Sequence, residues 1–168
     1  MTSQLATLAI QAGETLKKNN LKLVTAESCT GGGLSFWITS IPGSSHWFER
    51  GLVTYSDEAK MDLLSVNPKT LATFGAVSEQ TVQAMAEGAL KKSLADVSIA
   101  ITGIAGPTGG SPQKPVGMVW IAWAKQDTSI RTQCEVFAGD RDNIRTKTIE
   151  KALEGLIHFI LHPNEISV

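Results

Sequence analysis

Three long stretches of the chain repeat apolar residues at the spacing of an α-helix. They cover residues 5–16, 82–90 and 149–160. Apolar positions three and four residues apart lie on one side of a helix, so each stretch predicts a helix with one buried face. Ser78 and Asp140 precede the second and third stretches, and both residue types are preferred helix caps.

Shorter elements fill the sequence between these stretches. Two short helices are predicted, one ending at Ser40 and one carrying Lys60, and a turn is predicted at residues 41–45. Apolar runs predict β-strands at residues 21–26, 51–55, 96–103, 116–125 and 129–138. Only three residues, 126–128, separate the last two strands, which indicates a hairpin.

The alternation of strands and helices indicates the fold class. Strands separated by helices are typical of an α/β fold with a parallel sheet. We therefore predict a three-layer α/β/α sandwich whose sheet is mostly parallel and ends in a late antiparallel hairpin. No internal repeat, low-complexity tract or long linker divides the sequence, so we predict one domain over residues 1–168.

The composition excludes several classes of protein. Lys and Arg total 15 and Asp and Glu total 16, so the chain has no general positive field to attract nucleic acid or an anionic membrane. Two cysteines exclude a disulfide-dense secreted scaffold and a four-cysteine zinc site. The sequence shows neither a membrane-spanning apolar run nor the pattern of a secretory signal. We predict a soluble cytoplasmic protein without a nucleic-acid or membrane partner.

Candidate chemistry concentrates in three polar or glycine-rich segments that each follow a predicted strand. They are residues 27–33, 55–60 and 102–110. The carboxyl ends of parallel strands share one edge of a sheet, and ligands bind at that edge in α/β folds. The sequence therefore predicts a site where these three segments meet.

The first segment contains two candidate nucleophiles, Ser28 and Cys29. The following Thr30, Gly31 and Gly32 allow close backbone approach to an anion or a developing oxyanion. Ser28 is either a nucleophile or a cap of the helix that follows. Cys29 is either a rival nucleophile or a small buried apolar residue.

Lys60 is the candidate base of the second segment. A positive charge in the first turn of a helix is opposed by the helix dipole, which lowers the lysine pKa. Lys60 follows Ser28 by 32 residues, about one βαβ repeat, which brings both to neighbouring strand ends. A serine with a lysine base is a known nucleophile arrangement, although a lysine at such a position is also an ordinary solvated cation. Tyr55 either orients Lys60 or stacks on a flat ring of a ligand, or it is an ordinary aromatic residue of the strand.

The third segment and the start of the last helix offer anion-binding groups. The loop contains Thr102, Gly103, Gly106, Gly109 and Gly110. Its backbone amides either cradle a phosphate or form plain turns. Arg141 and Arg145 either clamp a phosphate or carboxylate or balance nearby acidic residues. No cluster of His, Cys, Asp and Glu has the spacing of a metal site, so no metal is predicted.

Five short stretches are more specific together than any one of them alone. They are AESCTGG at residues 26–32, VTYSDEAK at 53–60, GIAGPTGG at 103–110, KPVG at 114–117 and GDR at 139–141. In this order they resemble the signature sequences of the CinA C-terminal domain family, and the resemblance covers about residues 5–160. Stand-alone members of that family include nicotinamide-nucleotide amidases.

The resemblance implies hydrolysis of nicotinamide mononucleotide to nicotinate mononucleotide and ammonia, a step of pyridine nucleotide salvage. It implies that Ser28 attacks the carboxamide carbonyl, that Lys60 accepts the serine proton, and that Tyr55 assists Lys60 or the substrate. The amides of residues 30–32 would stabilise the oxyanion, while the glycine loop and Arg141 would hold ribose and phosphate.

Partners follow from the same resemblance. The implied partner is the small nucleotide, the reaction needs neither a metal nor an organic cofactor, and a homo-oligomer is expected. A different class of function is left open by the residues themselves. Because a fold does not determine a function, a catalytically silent nucleotide-binding or regulatory module is the alternative.

Overall fold

A five-stranded sheet forms the centre of the computed structural model, which describes residues 2–163. Its strands are β1 (Leu23–Glu27), β2 (Phe48–Val53), β3 (Val97–Gly103), β4 (Met118–Lys125) and β5 (Ser129–Val136). They lie in the order β2-β1-β3-β4-β5. Strand β1 pairs in parallel with β2 and β3, whereas β4 pairs antiparallel with β3 and β5.

Helices cover both faces of this sheet. The α-helices of the described residues are α1 (Thr2–Lys18), α2 (Gly33–Thr39), α3 (Asp57–Leu64), α4 (Pro68–Phe74), α5 (Glu79–Lys91) and α6 (Arg141–Leu161). A short 3-10 helix also covers Ser44–His46, within and just after the predicted turn. One apolar cluster joins α1, α2 and α6 to one face, and a second joins α3, α4 and α5 to the other. Successive strand residues enter opposite clusters, as the two-residue period of a strand requires. The predicted α/β/α sandwich with a late hairpin is confirmed.

Strand β2 and helix α4 differ most from the sequence prediction, whereas the bounds of the other strands shift by no more than two residues. Strand β2 begins at Phe48 rather than at residue 51, because its first residues lie on an edge strand and are only partly buried, so they lack an apolar alternation. Helix α4 was not predicted. Its N-terminal signal is Asn67, whose side chain accepts from the Lys69 amide, followed by Pro68 at the first helical position.

The packing of α6 against the sheet fixes the position of that helix. Trp123 of β4 is almost fully buried and donates from Nε1 to the Ala152 carbonyl at 2.9 Å. A Cβ at Gly155 would lie 2.0 Å from Trp123 Cζ2, so only glycine allows this approach. This glycine lies inside a helix, where glycine costs about 1 kcal/mol relative to alanine. The contact holds α6 in place, and thereby Arg141 at its first turn.

The parallel part of the sheet brings three segments to one edge. Strands β1, β2 and β3 end at Glu27, Val53 and Gly103, and their parallel pairing puts these ends side by side. The segments that follow them therefore share one edge of the sheet. In the part of the chain that the structure describes, none of the helices is both long and apolar enough to cross a membrane.

Candidate active site

Ser28 lies directly beyond the end of β1. Its amide donates to the Ile101 carbonyl of β3 at 3.0 Å, which anchors the backbone of the residue to the neighbouring strand. Its side chain contributes to the wall of a cavity of about 350 Å³. A cavity of this size suits a small molecule. Ser28 is therefore held at the edge of the sheet next to a space that a ligand can enter.

Lys60 of α3 points into the same wall and is almost fully buried. Helical side chains lean towards the start of their helix, so the amine of this fourth helical residue reaches back beyond the cap Ser56. Its Nζ donates to the Ser28 Oγ at 3.4 Å and to the Thr54 carbonyl at 3.1 Å. It also donates to the carbonyls of Tyr55 and Ser56, each at 3.4 Å.

The surroundings of Lys60 favour the neutral amine. Burial lowers the pKa of Lys60, while the nearby charges of Asp57 and Glu58 act in the opposite direction. The Asp57 carboxylate is 3.9 Å from Nζ and half exposed, so solvent weakens its effect. A neutral amine has two N–H groups to share among the three backbone carbonyls and one lone pair. When the Ser28 hydroxyl turns its hydrogen towards Nζ, that lone pair can accept the proton. The geometry thus fits a base that accepts a proton from Ser28.

Cys29 lines the cavity but is a poor nucleophile. Burial raises the pKa of its thiol to about 12, although Arg145 and Arg141 act in the opposite direction. Because the thiolate is the reactive form of cysteine, the neutral thiol is nearly inert at neutral pH. Of the two readings left open by the sequence, the structure favours the small buried apolar residue.

Glu27 occupies the start of α2, where the sequence predicted an oxyanion or ligand site. Its carboxylate accepts from the Thr30 hydroxyl at 2.8 Å and from the Gly32 amide at 3.1 Å. The Gly31 amide donates to the Ser28 carbonyl at 2.9 Å. Thr30, Gly31 and Gly32 do not line the cavity. Most donors of this turn are thus bound within the chain, because a side chain of β1 points into the helix start.

The glycine loop after β3 is divided between the cavity and the protein interior. Gly103, Gly106 and Gly109 line the cavity, whereas Thr102 and Gly110 do not. The Thr102 hydroxyl donates to the Ala76 carbonyl at 2.8 Å. A Cβ at Gly110 would lie 2.8 Å from the Val116 amide nitrogen. These two positions support the loop from behind rather than facing a ligand.

The same loop presents free backbone amides. Among the described residues, the amides of residues 105, 106 and 108–110 have no hydrogen-bond partner. Gly106 and Gly109 have φ angles of 75° and 90°, which favour glycine. Consecutive free amides in such a turn bind anions. This loop is therefore the best anion-binding surface around the cavity.

Arg141 bridges two walls of the cavity. Its Nη1 donates to the Gly106 carbonyl at 2.7 Å, and its Nη2 donates to the Tyr55 hydroxyl at 2.9 Å. The Tyr55 hydroxyl is therefore directed to Arg141, and only the Tyr55 carbonyl contacts Lys60. Arg145, the other arginine considered from the sequence, instead donates to the Thr30 carbonyl at 3.0 Å, behind the serine turn.

Some residues of the site were not singled out by the sequence analysis. Ser56, Asp57 and Ala76 also line the cavity. Ser56 and Asp57 lie within the second polar segment but were given no role of their own, and Ala76 has no functional group that could have drawn attention to it. Glu27 was read as the start of a polar segment, although an acidic residue that ends an apolar strand is a signal that its carboxylate has a local role.

Residues 5–160 match the family model of the CinA C-terminal domain. The chain belongs to the CinA C-terminal domain family. This confirms the resemblance drawn from the five signature stretches, which lie in those same residues. Three of the five, at residues 26–32, 53–60 and 103–110, supply most of the cavity wall.

Relatives of known name extend over nearly the whole chain. A nicotinamide-nucleotide amidohydrolase PncC from Escherichia coli strain K12 is 51% identical over 154 residues, which cover 92% of this chain and 93% of that protein. A protein of the same name from Pseudomonas putida is 46% identical over 153 residues, covering 91% and 95%.

Solved structures show the same fold. The crystal structure of competence/damage inducible protein CihA from Agrobacterium tumefaciens aligns with a TM-score of 0.89 and 44% identity. The alignment covers 92% of this chain and 94% of that one. The arrangement of strands and helices described above is therefore that of the family.

Proposed function

We propose that the chain hydrolyses the carboxamide of nicotinamide mononucleotide, giving nicotinate mononucleotide and ammonia, with Ser28 as nucleophile and Lys60 as base. The observation that carries the proposal is the 3.4 Å contact between Lys60 Nζ and Ser28 Oγ in the wall of the cavity. About half of the residues are identical to those of relatives named as amidohydrolases, so the chain is an enzyme of the amidohydrolase class. The proposal adds two points to that class: the substrate is nicotinamide mononucleotide, and Ser28 and Lys60 carry out the reaction.

The proposed reaction passes through a covalent intermediate. The Ser28 Oγ attacks the carboxamide carbon while its proton passes to the neutral Lys60 amine. The resulting ammonium returns that proton to the amide nitrogen, the C–N bond breaks, and ammonia leaves. Water then attacks the acyl-serine ester, and Lys60 again accepts a proton and returns it to the Ser28 oxygen.

A backbone amide of the serine turn is the proposed donor to the oxyanion. The amides of Gly31 and Gly32 are already bound to Ser28 and Glu27. Those of Cys29 and Thr30 have no partner among the described residues. The amide after a nucleophilic serine commonly contributes to the oxyanion hole. We therefore assign this role to the Cys29 amide, because Cys29 lines the cavity and Thr30 does not.

Release of ammonia tests the function directly. Purified protein is expected to release ammonia from nicotinamide mononucleotide at the same rate as it forms nicotinate mononucleotide. Calorimetry complements the assay. Tight nucleotide binding without any turnover would favour the silent binding module instead. A cytoplasmic location and a homo-oligomer stay predictions, and sedimentation of the purified protein tests the second.

Arg141 is proposed to bind the substrate phosphate together with the free amides of the glycine loop. Arg141→Met is expected to raise KM for nicotinamide mononucleotide by about 10- to 100-fold, because a charge-assisted hydrogen bond contributes about 1.5–3 kcal/mol. The expected change in kcat is less than about threefold, since Arg141 does not contact Ser28 or Lys60.

Nicotinamide riboside, which lacks the phosphate, is the matched control substrate. The Arg141→Met variant should process it as the wild type does. An equal loss with both substrates would show that Arg141 acts on the structure of the cavity and not on the phosphate.

Cys29 is the alternative nucleophile, and removing its thiol tests whether Cys29 or Ser28 attacks the substrate. Cys29→Ala is expected to keep kcat within about threefold of the wild type, because a thiol with a pKa of about 12 is not ionised at neutral pH. The assay is initial-rate kinetics on nicotinamide mononucleotide at pH 7.5. Loss of activity in folded Cys29→Ala, with activity retained in Ser28→Ala, would reverse the assignment.

A further inference from the structure

Glu27 is a fully buried carboxylate with an unusual number of hydrogen bonds. One oxygen, Oε2, accepts from the Thr30 hydroxyl at 2.8 Å, the Gly32 amide at 3.1 Å and the Leu34 amide at 3.0 Å. The other, Oε1, accepts from the Ser35 amide at 2.9 Å and the Ser35 hydroxyl at 2.6 Å. All five bonds come from residues that follow Ser28 within the next eight positions.

These contacts occupy both oxygens of the group. The five donors are three backbone amides and two hydroxyls. Among the described residues, no lysine or arginine forms an ion pair with it. Its charge is instead balanced by the amides at the start of α2, which carry partial positive charge.

The carboxylate ties together the turn that carries Ser28. Glu27 itself belongs to β1, and its acceptors reach forward to Thr30 and into α2, so the segment between them forms a closed loop. Inside that loop the Gly31 amide donates to the Ser28 carbonyl at 2.9 Å. Two consecutive residues with positive φ, Gly31 at 57° and Gly32 at 91°, allow the sharp reversal.

A neighbouring strand leaves room for this network. A Cβ at Gly51 of β2 would lie 2.3 Å from Ser35 Oγ, the atom that donates to Glu27. The Ser35 hydroxyl also shares a hydrogen bond with Thr25 of β1 at 2.8 Å. Through Ser35 the carboxylate is thus linked to Thr25 of β1, and the absence of a side chain at Gly51 of β2 leaves space for the Ser35 hydroxyl.

We propose that Glu27 is a positioning residue for the reaction, which holds the turn so that Ser28 Oγ faces Lys60. The proposal rests on the proposed function of Ser28 as the nucleophile. A helix cap alone does not require a buried charge, because one side-chain oxygen of a Ser, Thr or Asn is commonly enough to satisfy an amide at a helix start. A carboxylate instead binds five donors at once and fixes the turn as a unit.

Glu27→Gln is the first test. The amide of glutamine presents two N–H donors where donors already converge, so one side of the network is lost although the size of the side chain is kept. A displacement of the nucleophile by about 1 Å reduces rate by about 100-fold. We expect that reduction in kcat with KM changed by less than about threefold, because the glycine loop and Arg141 lie on other elements.

Milder variants keep the test valid where Glu27→Gln does not fold. Thr30→Val keeps the shape of the side chain but removes one donor, and Ser35→Ala removes another. Each is expected to lower kcat by about three- to tenfold, less than the roughly 100-fold that a 1 Å misplacement costs, because four of the five donors still hold the carboxylate. Thr30→Ser keeps the hydroxyl and is expected to restore the wild-type rate.

A second readout reports the serine independently of the nucleotide. A small fluorophosphonate reacts with activated serines, and mass spectrometry identifies the labelled residue. Labelling of Ser28 is expected to slow in parallel with kcat in Glu27→Gln and Thr30→Val. Ser98→Ala is the control, because Ser98 is also fully buried but its hydroxyl donates to the Ala86 carbonyl on the α5 side, away from the serine turn. It should lose stability without losing labelling rate.

The outcomes separate this proposal from the proposed function. The wild type could be labelled at Ser28 without hydrolysing nicotinamide mononucleotide. If labelling is then slower in the Glu27 and Thr30 variants, the positioning role is supported and the proposed substrate is rejected. Wild-type kcat and labelling rate in folded Glu27→Gln, or in both Thr30→Val and Ser35→Ala, would overturn the positioning role. No labelling of wild-type Ser28 would overturn it as well.

Discussion

Ser28→Ala is expected to lower kcat for ammonia release by about 10⁴-fold or more, because no other group can form the acyl intermediate. The neighbouring Cys29 does not replace it, since burial raises the pKa of that thiol to about 12. The variant should still bind nicotinamide mononucleotide, because the glycine loop and Arg141 are unchanged. Initial rates and calorimetric binding on the same preparation measure both quantities.

A covalent intermediate gives this prediction a second test. With hydroxylamine present, the wild-type acyl-serine should partition between nicotinate mononucleotide and the corresponding hydroxamate, and Ser28→Ala should form neither product. Ser98→Ala again serves as the buried-serine control and should keep the wild-type kcat. Hydrolysis by folded Ser28→Ala within about tenfold of the wild type would exclude a serine nucleophile.

The sequence predicts the layers of this fold better than its edges. Helices α1, α5 and α6 pack on the sheet through long apolar stripes, so the helical spacing of their apolar residues is evident in the sequence. Strand β2 lies at the sheet edge, where half-exposed residues lose the alternation that marks a strand. Helix α4 has seven residues, too few to repeat a stripe, and only its Asn-Pro start gave a local signal.

The candidate site divides in the same way. The spacing of Ser28 and Lys60 was informative because parallel pairing of β1 and β2 brings their ends together. The glycines were ambiguous, because a positive φ, a close contact and an anion cradle all favour the same residue type. Glu27 reaches the start of α2 because its side chain lies on the face of β1 that this helix covers. Which helix covers which face could be found only from the packing of the whole sheet.

Lys60→Met is expected to reduce kcat by about 10³-fold, within the range that a general base contributes. Methionine keeps an unbranched buried side chain, one atom shorter than that of lysine, and has no nitrogen to accept the Ser28 proton. Because burial lowers the pKa of Lys60, the wild-type rate should rise with pH through that lowered pKa and then level off. Lys69→Met, at an exposed lysine of α4, should keep both the rate and its pH profile.

The same buried amine has a consequence for stability that does not involve catalysis. Between the lowered pKa of folded Lys60 and its unfolded value of about 10.4, the unfolded chain binds more protons than the folded one. The free energy of unfolding of the wild type, relative to Lys60→Met, should therefore rise with pH across that window, by at most about 1.4 kcal/mol per pH unit.

Denaturant unfolding of both proteins at pH 7, 8.5 and 10 measures this difference. Below the window the amine is charged in both states, and the difference should be constant at its lowest value. A difference that does not change with pH up to 10 would mean that folded Lys60 keeps its ordinary pKa. The amine would then be an ammonium ion at neutral pH, and it could not accept the proton of Ser28 whatever the distance between them.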